Sequence, residues 1–159
     1  MIWPILFLII IPFAFVLLYG APYLPTRKKQ AVEALDLLNL KEGDIFVDLG
    51  SGDGAVLLEA ARRGCVCYGY ELNPLVWLVS KLRTLRFGKQ ITIYCRNFWK
   101  MPLPKGTKGV FVFLLDKYMP KLDLKLNSEL KNGQLVSYTF QIPAKKPTVT
   151  KNALYLYKY

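Results

Sequence analysis

The sequence predicts an α/β fold: a Rossmann-like, mostly parallel sheet with helices on both faces, preceded by one N-terminal transmembrane helix. Three observations predict it. From Ile45 onward, short β-rich runs alternate with longer helical patterns, the signature of βαβ units stacked into a parallel sheet. One run, Phe46-Val47-Asp48-Leu49, ends in Gly50-Ser51-Gly52-Asp53-Gly54 and opens directly into a helix. The chain is also sharply divided, because residues 1–26 carry no charge and the whole net charge of +11 falls after them.

At 159 residues the chain suits one globular domain beside its apolar segment. Residues 2–19 (IWPILFLIIIPFAFVLLY) form an uncharged run of eighteen that extends through Gly20 and Ala21, and roughly 20 such residues span a bilayer as a helix. Residues 1–21 are therefore expected to be a membrane anchor and residues 22–159 the folded domain. Trp3, Tyr19 and Tyr23 stand where interfacial aromatics belong, and Arg27, Lys28 and Lys29 put the domain on the cytoplasmic side by the positive-inside rule. A cleaved signal peptide fits less well, because there is no basic leader and the run exceeds the usual apolar core of roughly 7–15 residues.

Residues 21–25 hold two prolines and read as a stiff linker. Thr26 can cap a helix over 26–38, with Ala31, Val32, Leu35 and Leu38 on one face. A turn then leads to a strand at 45–49. The spacing predicts a helix over 53–63, stopped by Gly64, and a strand over 65–70. Asn73 and Pro74 supply a cap and a first-turn proline for a helix to residue 86. Further strands are expected at 90–95, 109–114, 134–140 and 153–157, with a helix over 119–130. Cys65, Cys67 and Cys95 are odd in number and lie in strand-like segments, and the chain has no His, so buried reduced thiols are expected rather than a metal set or disulfides.

In an open parallel sheet, ligands bind beyond the carboxyl ends of the strands, where the loop 50–54 is placed. A P-loop is excluded, since no Lys-Ser or Lys-Thr follows the glycines. A dinucleotide fingerprint is formally met by Gly50, Gly52 and Ala55 with Glu71 downstream, and spacing alone does not dismiss it. Asp48 and Asp53 oppose it, because they would repel a pyrophosphate. S-adenosyl-L-methionine has an ammonium, a sulfonium and a carboxylate but no phosphate, so the same acids become favourable. Asp48 can bind the amino group, the glycine backbone can pass along the methionine and ribose portions, and Glu71 can accept both ribose hydroxyls. Taken singly, Asp48 could be a turn cap and Glu71 a solvated strand end; together around three glycines they favour the cofactor.

These residues resemble the class I (seven-strand) S-adenosylmethionine-dependent methyltransferases. Tyr23-Leu24-Pro25-Thr26, VDLGSGDG from Val47, GYELNP from Gly69 to Pro74, Arg96-Asn97-Phe98-Trp99 and Val112-Phe113-Leu114-Leu115 are similar to one branch of them. That branch contains archaeal protein-lysine methyltransferases and membrane-anchored mitochondrial lysine methyltransferases of the adenine nucleotide translocase and the ATP synthase c subunit. The resemblance implies Asp48, Gly50, Ser51 and Gly52 around the methionine end of the cofactor and Glu71 on its ribose. It further implies Asn97 and Phe98 at the adenine, with Tyr23 and Thr26 closing over the cofactor. Two departures stand out: Asp116 replaces the usual small residue or proline after the fourth strand, and residues 140–153 leave little room for a helix and a sixth strand of ordinary length.

The expected function is a membrane-anchored protein-lysine N-methyltransferase acting on membrane or membrane-adjacent proteins. A lipid or small-amine N-methyltransferase, an RNA methyltransferase and an inactive binding protein are the alternatives. Asp116, with Tyr118 nearby, is the expected catalytic pair that orients the amine and accepts its proton; a helix N-cap is the competing role for Asp116. The basic residues are scattered and no RNA-binding appendage is present, which argues against a nucleic-acid partner. Attraction to an anionic leaflet accounts for the charge instead.

Overall fold

A computed structural model describes residues 26–159. The expected anchor, with Trp3, Tyr19 and Tyr23, lies outside the described residues. Among those described, no helix is long and apolar enough to cross a membrane.

Seven strands are present: β1 (Ile45–Leu49), β2 (Val66–Glu71), β3 (Ile91–Cys95), β4 (Thr107–Val112), β5 (Gln134–Tyr138), β6 (Val149–Lys151) and β7 (Leu154–Lys158). They form a single sheet in the order β3-β2-β1-β4-β5-β7-β6. Strands β1 to β5 pair in parallel, whereas β7 runs antiparallel to both β5 and β6. The helices are α1 (Lys28–Leu38), α2 (Ala55–Arg62), α3 (Pro74–Thr84) and α4 (Met119–Glu129). This is the predicted α/β architecture, and the strand order reverses beside β1, which sets the switch point at the end of β1.

Side chains alternate along each strand and so divide the core in two. On one face Phe46, Cys67, Ile93, Phe111 and Val136 pack under Ala34 and Leu35 of α1 and Leu57 and Ala60 of α2. On the other, Val47, Leu49, Val110, Val112, Leu135 and Tyr157 pack under Met119, Leu122 and Leu126 of α4. Helix α3 joins the first face through Trp77, whose indole N–H donates to the Ile93 carbonyl at 3.0 Å. Burial of each large side chain contributes ~1.5–3 kcal/mol. The central strand β1, buried from Phe46 to Leu49, is thus held between two apolar layers and fixes the position of the loop that leaves it.

Several boundaries differ from expectation, each for a local reason. Thr26 does not cap α1; Arg27 occupies the N-cap position in an extended conformation without a side-chain cap. Helix α2 starts at Ala55 rather than at residue 53, because Gly50 at φ +94° and Gly54 at φ +80° hold the chain in a left-handed turn until then. Asn73 caps α3 as expected, accepting from the Leu75 and Val76 N–H groups, but the helix ends at Thr84 and a 3-10 turn follows. The 140–153 segment, as its shortness implies, holds only a three-residue strand, β6, with no helix before it. Cys65 and Cys67 are buried, whereas Cys95, at the end of β3, is exposed.

Candidate active site

The loop after β1 is tied to β2. The Gly50 and Ser51 N–H groups both donate to the Tyr70 carbonyl at 2.9 Å, and the Gly52 N–H donates to Glu71 Oε2 at 2.9 Å. The other oxygen of Glu71, Oε1, accepts the Asn73 N–H at 2.8 Å. One carboxylate therefore clamps the glycine loop to the start of α3. Glu71 is 9% exposed, so each oxygen keeps lone-pair capacity for a further donor while its backbone partners hold it fixed.

Asp48, at the penultimate position of β1, is 3% exposed. Burial pushes its carboxyl well above the usual carboxylate range, and the nearby charges of Glu71 and Asp53 push it further. Among the described residues no donor offsets that shift. Burial likewise raises Glu71, opposed by the N–H groups of Asn73, Gly52 and Leu72. A buried acid without a donor, next to a second acid, is an environment completed by a cation. A pyrophosphate would add negative charge to it.

Helix α3 closes the loop from the other side. Arg83 pairs with Asp53, and a Cβ at Gly54 would meet Ser80 Oγ at 2.6 Å. Gly69 in β2 leaves similar room: a Cβ there would lie 2.6 Å from Leu57 Cδ1 and 2.9 Å from Ser51 Oγ. By contrast, a Cβ at Gly50 would meet nothing within 4 Å, so this backbone faces open space. Ser51 Oγ and Asn73 Nδ2 are buried polar atoms without partners.

Asn97 and Phe98 follow β3, whose last residue, Cys95, pairs with Glu71. The Arg96 N–H donates to the Glu71 carbonyl at 3.1 Å, which brings this segment beside the clamp. Asn97 Oδ1 caps a short 3-10 turn by accepting the Trp99 N–H at 3.0 Å, and the Phe98 and Trp99 rings lie 4.5 Å apart. After β4, Asp116 opens another 3-10 turn with its side chain exposed. It caps neither that turn nor α4, so the N-cap role is not observed. The Tyr118 ring approaches the Trp99 ring at 6.2 Å and thereby bridges the loops after β3 and β4.

The structure thus brings Asp48, Gly50, Ser51, Gly52 and Glu71 together, with Asn97 and Phe98 adjoining them. Thr26 stands ahead of α1 and makes no hydrogen bond with other described residues, and Tyr23 is outside them. Sequence reading quoted Trp99 without giving it a role, and missed the Arg83–Asp53 pair and the close-packing role of Gly69. Only the last left a trace, as the glycine of GYELNP.

S-adenosyl-L-methionine fits this donor set. Asp48 can meet an ammonium, the open face at Gly50 leaves room for a ligand against the backbone, and Glu71 can accept hydrogen bonds from hydroxyls. Comparison with known proteins agrees: the model of the ANTKMT methyltransferase domain matches residues 48–149. The chain belongs to the ANTKMT methyltransferase family. A Xenopus laevis relative, the lysine N-methyltransferase of the ATP synthase c subunit, is 36% identical over 126 residues, covering 77% of this chain and 54% of the relative. Adenine nucleotide translocase lysine N-methyltransferase of Mus musculus is 36% identical over 132 residues, covering 79% and 56%. The chain spans about half the length of these relatives. A protein-lysine N-methyltransferase of Saccharolobus islandicus (strain REY15A) is 30% identical over 131 residues, covering 79% of this chain and 81% of the archaeal one. Among solved structures, an RNA methyltransferase from Salinibacter ruber bound to S-adenosyl-L-homocysteine superposes with a TM-score of 0.79 at 24% identity, over 85% of this chain and 93% of that one. That likeness establishes the shared fold and says nothing about the acceptor.

Proposed function

We propose that this member of the ANTKMT methyltransferase family is a protein-lysine N-methyltransferase that uses S-adenosyl-L-methionine. We further propose that residues 1–21 tether it to a membrane, with the domain on the cytoplasmic side, acting on membrane or membrane-adjacent proteins. The observation that carries the chemistry is the buried, donor-free carboxylate of Asp48 beside the loop clamped by Glu71. Support for the acceptor comes from relatives named as lysine methyltransferases. The uncharged run at 2–19, followed by the exposed cations Arg27, Lys28 and Lys29, supports the tether.

The cofactor, when bound, supplies an electrophilic sulfonium methyl. Asp48 holds the methionine ammonium, and Glu71 orients the ribose while keeping Gly52 in place. The Gly50–Gly54 turn excludes side chains from the ligand's path. Alignment is the main requirement for in-line transfer, and these rigid strand ends provide it. The acceptor amine must be neutral; an apolar, aromatic surround lowers a lysine's pKa without a strong base. Phe98, Trp99 and Tyr118 supply aromatic faces beside the exposed Asp116, with Lys121 Nζ 4.6 Å from the Trp99 ring and Lys117 Nζ 4.9 Å from the Tyr118 ring, and Asp116 orients the incoming amine and takes up its proton.

Incubation of the full chain with tritiated S-adenosyl-L-methionine and host membranes, followed by separate extraction of protein, lipid and RNA, tests this. Label is expected in protein, at lysine. Label confined to lipid or to RNA would overturn the lysine reading.

A further inference from the structure

The outer face of α3 carries a continuous apolar stripe that nothing among the described residues covers. Leu75, Leu78, Val79 and Leu82, with Leu85 at the first position beyond the helix, recur at helical spacing and are all exposed, Leu82 at 59% and Leu85 at 68%. A helix on a sheet normally shows its polar side to water, so this orientation is inverted for a solvated surface. Basic residues border the stripe. Lys81 flanks it on one side, and Arg86 and Lys89 follow it in the adjoining turn. None of these three pairs with an acid among the described residues. Arg83, on the remaining side, pairs with Asp53 while staying exposed.

We propose that the α3 face docks on an anionic bilayer surface, with Leu75, Leu78, Val79, Leu82 and Leu85 entering the acyl boundary and Lys81, Arg86 and Lys89 at headgroup level. An apolar stripe edged by cations is the pattern of an interfacial helix. Charge selects this occupant. The chain's own segment 1–25 is apolar but carries no acid to answer the cations, and a second copy would set the same cations against each other. A lipid surface bearing negative headgroups satisfies both parts, and the net charge of +11 after residue 26 adds long-range attraction.

Docking has a consequence for the site. Leu75 lies four residues after Glu71 and two after Asn73, so the stripe begins where the clamp on the glycine loop ends. The Arg83–Asp53 pair joins the opposite end of α3 to the same loop. The docked helix therefore sets the cofactor loop at a fixed height over the lipid, suited to an acceptor close to the membrane surface.

The test uses the full chain in nanodiscs of neutral lipid with and without an anionic lipid. An environment-sensitive fluorophore is attached at Leu82→Cys in a Cys95→Ser background, since Cys65 and Cys67 are buried. A second probe at Leu124→Cys on α4, 73% exposed on the opposite face, serves as control. Expected is blue-shifted emission at position 82, quenched by nitroxide-bearing lipid and stronger with anionic lipid, against water-like emission at 124. Leu78→Glu with Leu82→Glu, both at exposed positions, should leave cofactor affinity unchanged and lower methylation of membrane protein about tenfold or more. A water-like probe at position 82 overturns the proposal. So does a probe shielded from water yet not quenched from the lipid, which would place the chain's own segment or a second copy there. Resistance of the full chain to alkaline carbonate extraction reports on the anchor separately, so failure of the anchor and failure of α3 docking are distinguishable.

Discussion

Glu71 holds Gly52: the glycine N–H donates to Glu71 Oε2 at 2.9 Å, across nineteen positions of sequence. The carboxylate expected to face the ribose thus already fixes the glycine loop, and its second oxygen fixes the start of α3 through Asn73. One side chain therefore joins the glycine loop to the start of α3.

Glu71→Gln is accordingly not a conservative change. A glutamine offers one acceptor oxygen and an NH2, so it can serve Gly52 or Asn73 but not both. Hydrogen bonds to charged groups contribute ~1.5–3 kcal/mol, so the variant should lose about 10–100-fold in affinity for S-adenosyl-L-methionine by calorimetry, with a smaller loss of stability. Unchanged affinity would show that the loop is held by other contacts.

Asp48→Asn should separate stability from binding. Because burial raises the Asp48 pKa in the folded chain, the folded state binds a proton that the unfolded state has released. Stability of the ligand-free protein contributed by this group is therefore full below the unfolded carboxyl value of about 3.9 and falls as pH rises toward the raised folded value. Asparagine removes that loss, so at neutral pH the ligand-free variant should melt higher, by about 2–4 °C per kcal/mol recovered. Affinity for the cofactor should drop about tenfold or more. In the parent, affinity should increase with pH across the same range, as Asp48 ionises to meet the ammonium; calorimetry across a pH series measures this.

Gly69→Ala tests the packing beneath the loop. Its Cβ would crowd Leu57 Cδ1 at 2.6 Å and Ser51 Oγ at 2.9 Å, at a position with no left-handed backbone requirement. Overpacking of this kind costs ~1–3 kcal/mol. Urea denaturation should report that loss, and cofactor affinity should fall with it because Ser51 belongs to the loop.

Asp116→Ala and Tyr118→Phe address methyl transfer. Both lie in the turn after β4, which adjoins β1. Loss of proton acceptance at Asp116 should reduce kcat about 10²–10⁴-fold, and Tyr118→Phe by a smaller factor, with cofactor affinity intact in both. A parallel fall in affinity would assign these residues to the fold or the cofactor site instead.

Much of the fold was legible because its signals are local. The alternation of strands and helices follows from side-chain periodicity, and the Asn73-Pro74 cap is a two-residue instruction that the structure obeys. Strand β1 matches its expected bounds because the apolar run and the first glycine delimit it. The three-residue β6 escaped detection, since Val149–Lys151 is exposed and lacks an apolar pattern. Thr26 misled because a good capping residue caps only when the chain places it one step from the first turn. Cys95 misled as well: a strand-like setting says nothing about which residue protrudes at a strand's end.

The sequence by itself determined the residues of the glycine loop, the acids close to it and the charge division at residue 26, because each depends on residue type and short spacing. Only the tertiary structure decided how the acids are used. Burial against two layers of the core removes Asp48 from water and raises its pKa, and parallel pairing of β1 with β2 brings Glu71 to Gly52 and Gly69 under Ser51. It also decided that the leucines of α3 face outward, since Val76, Trp77 and Ser80 are the residues turned to the sheet and the glycine turn. Such pairings join positions far apart along the chain, and no local pattern encodes them.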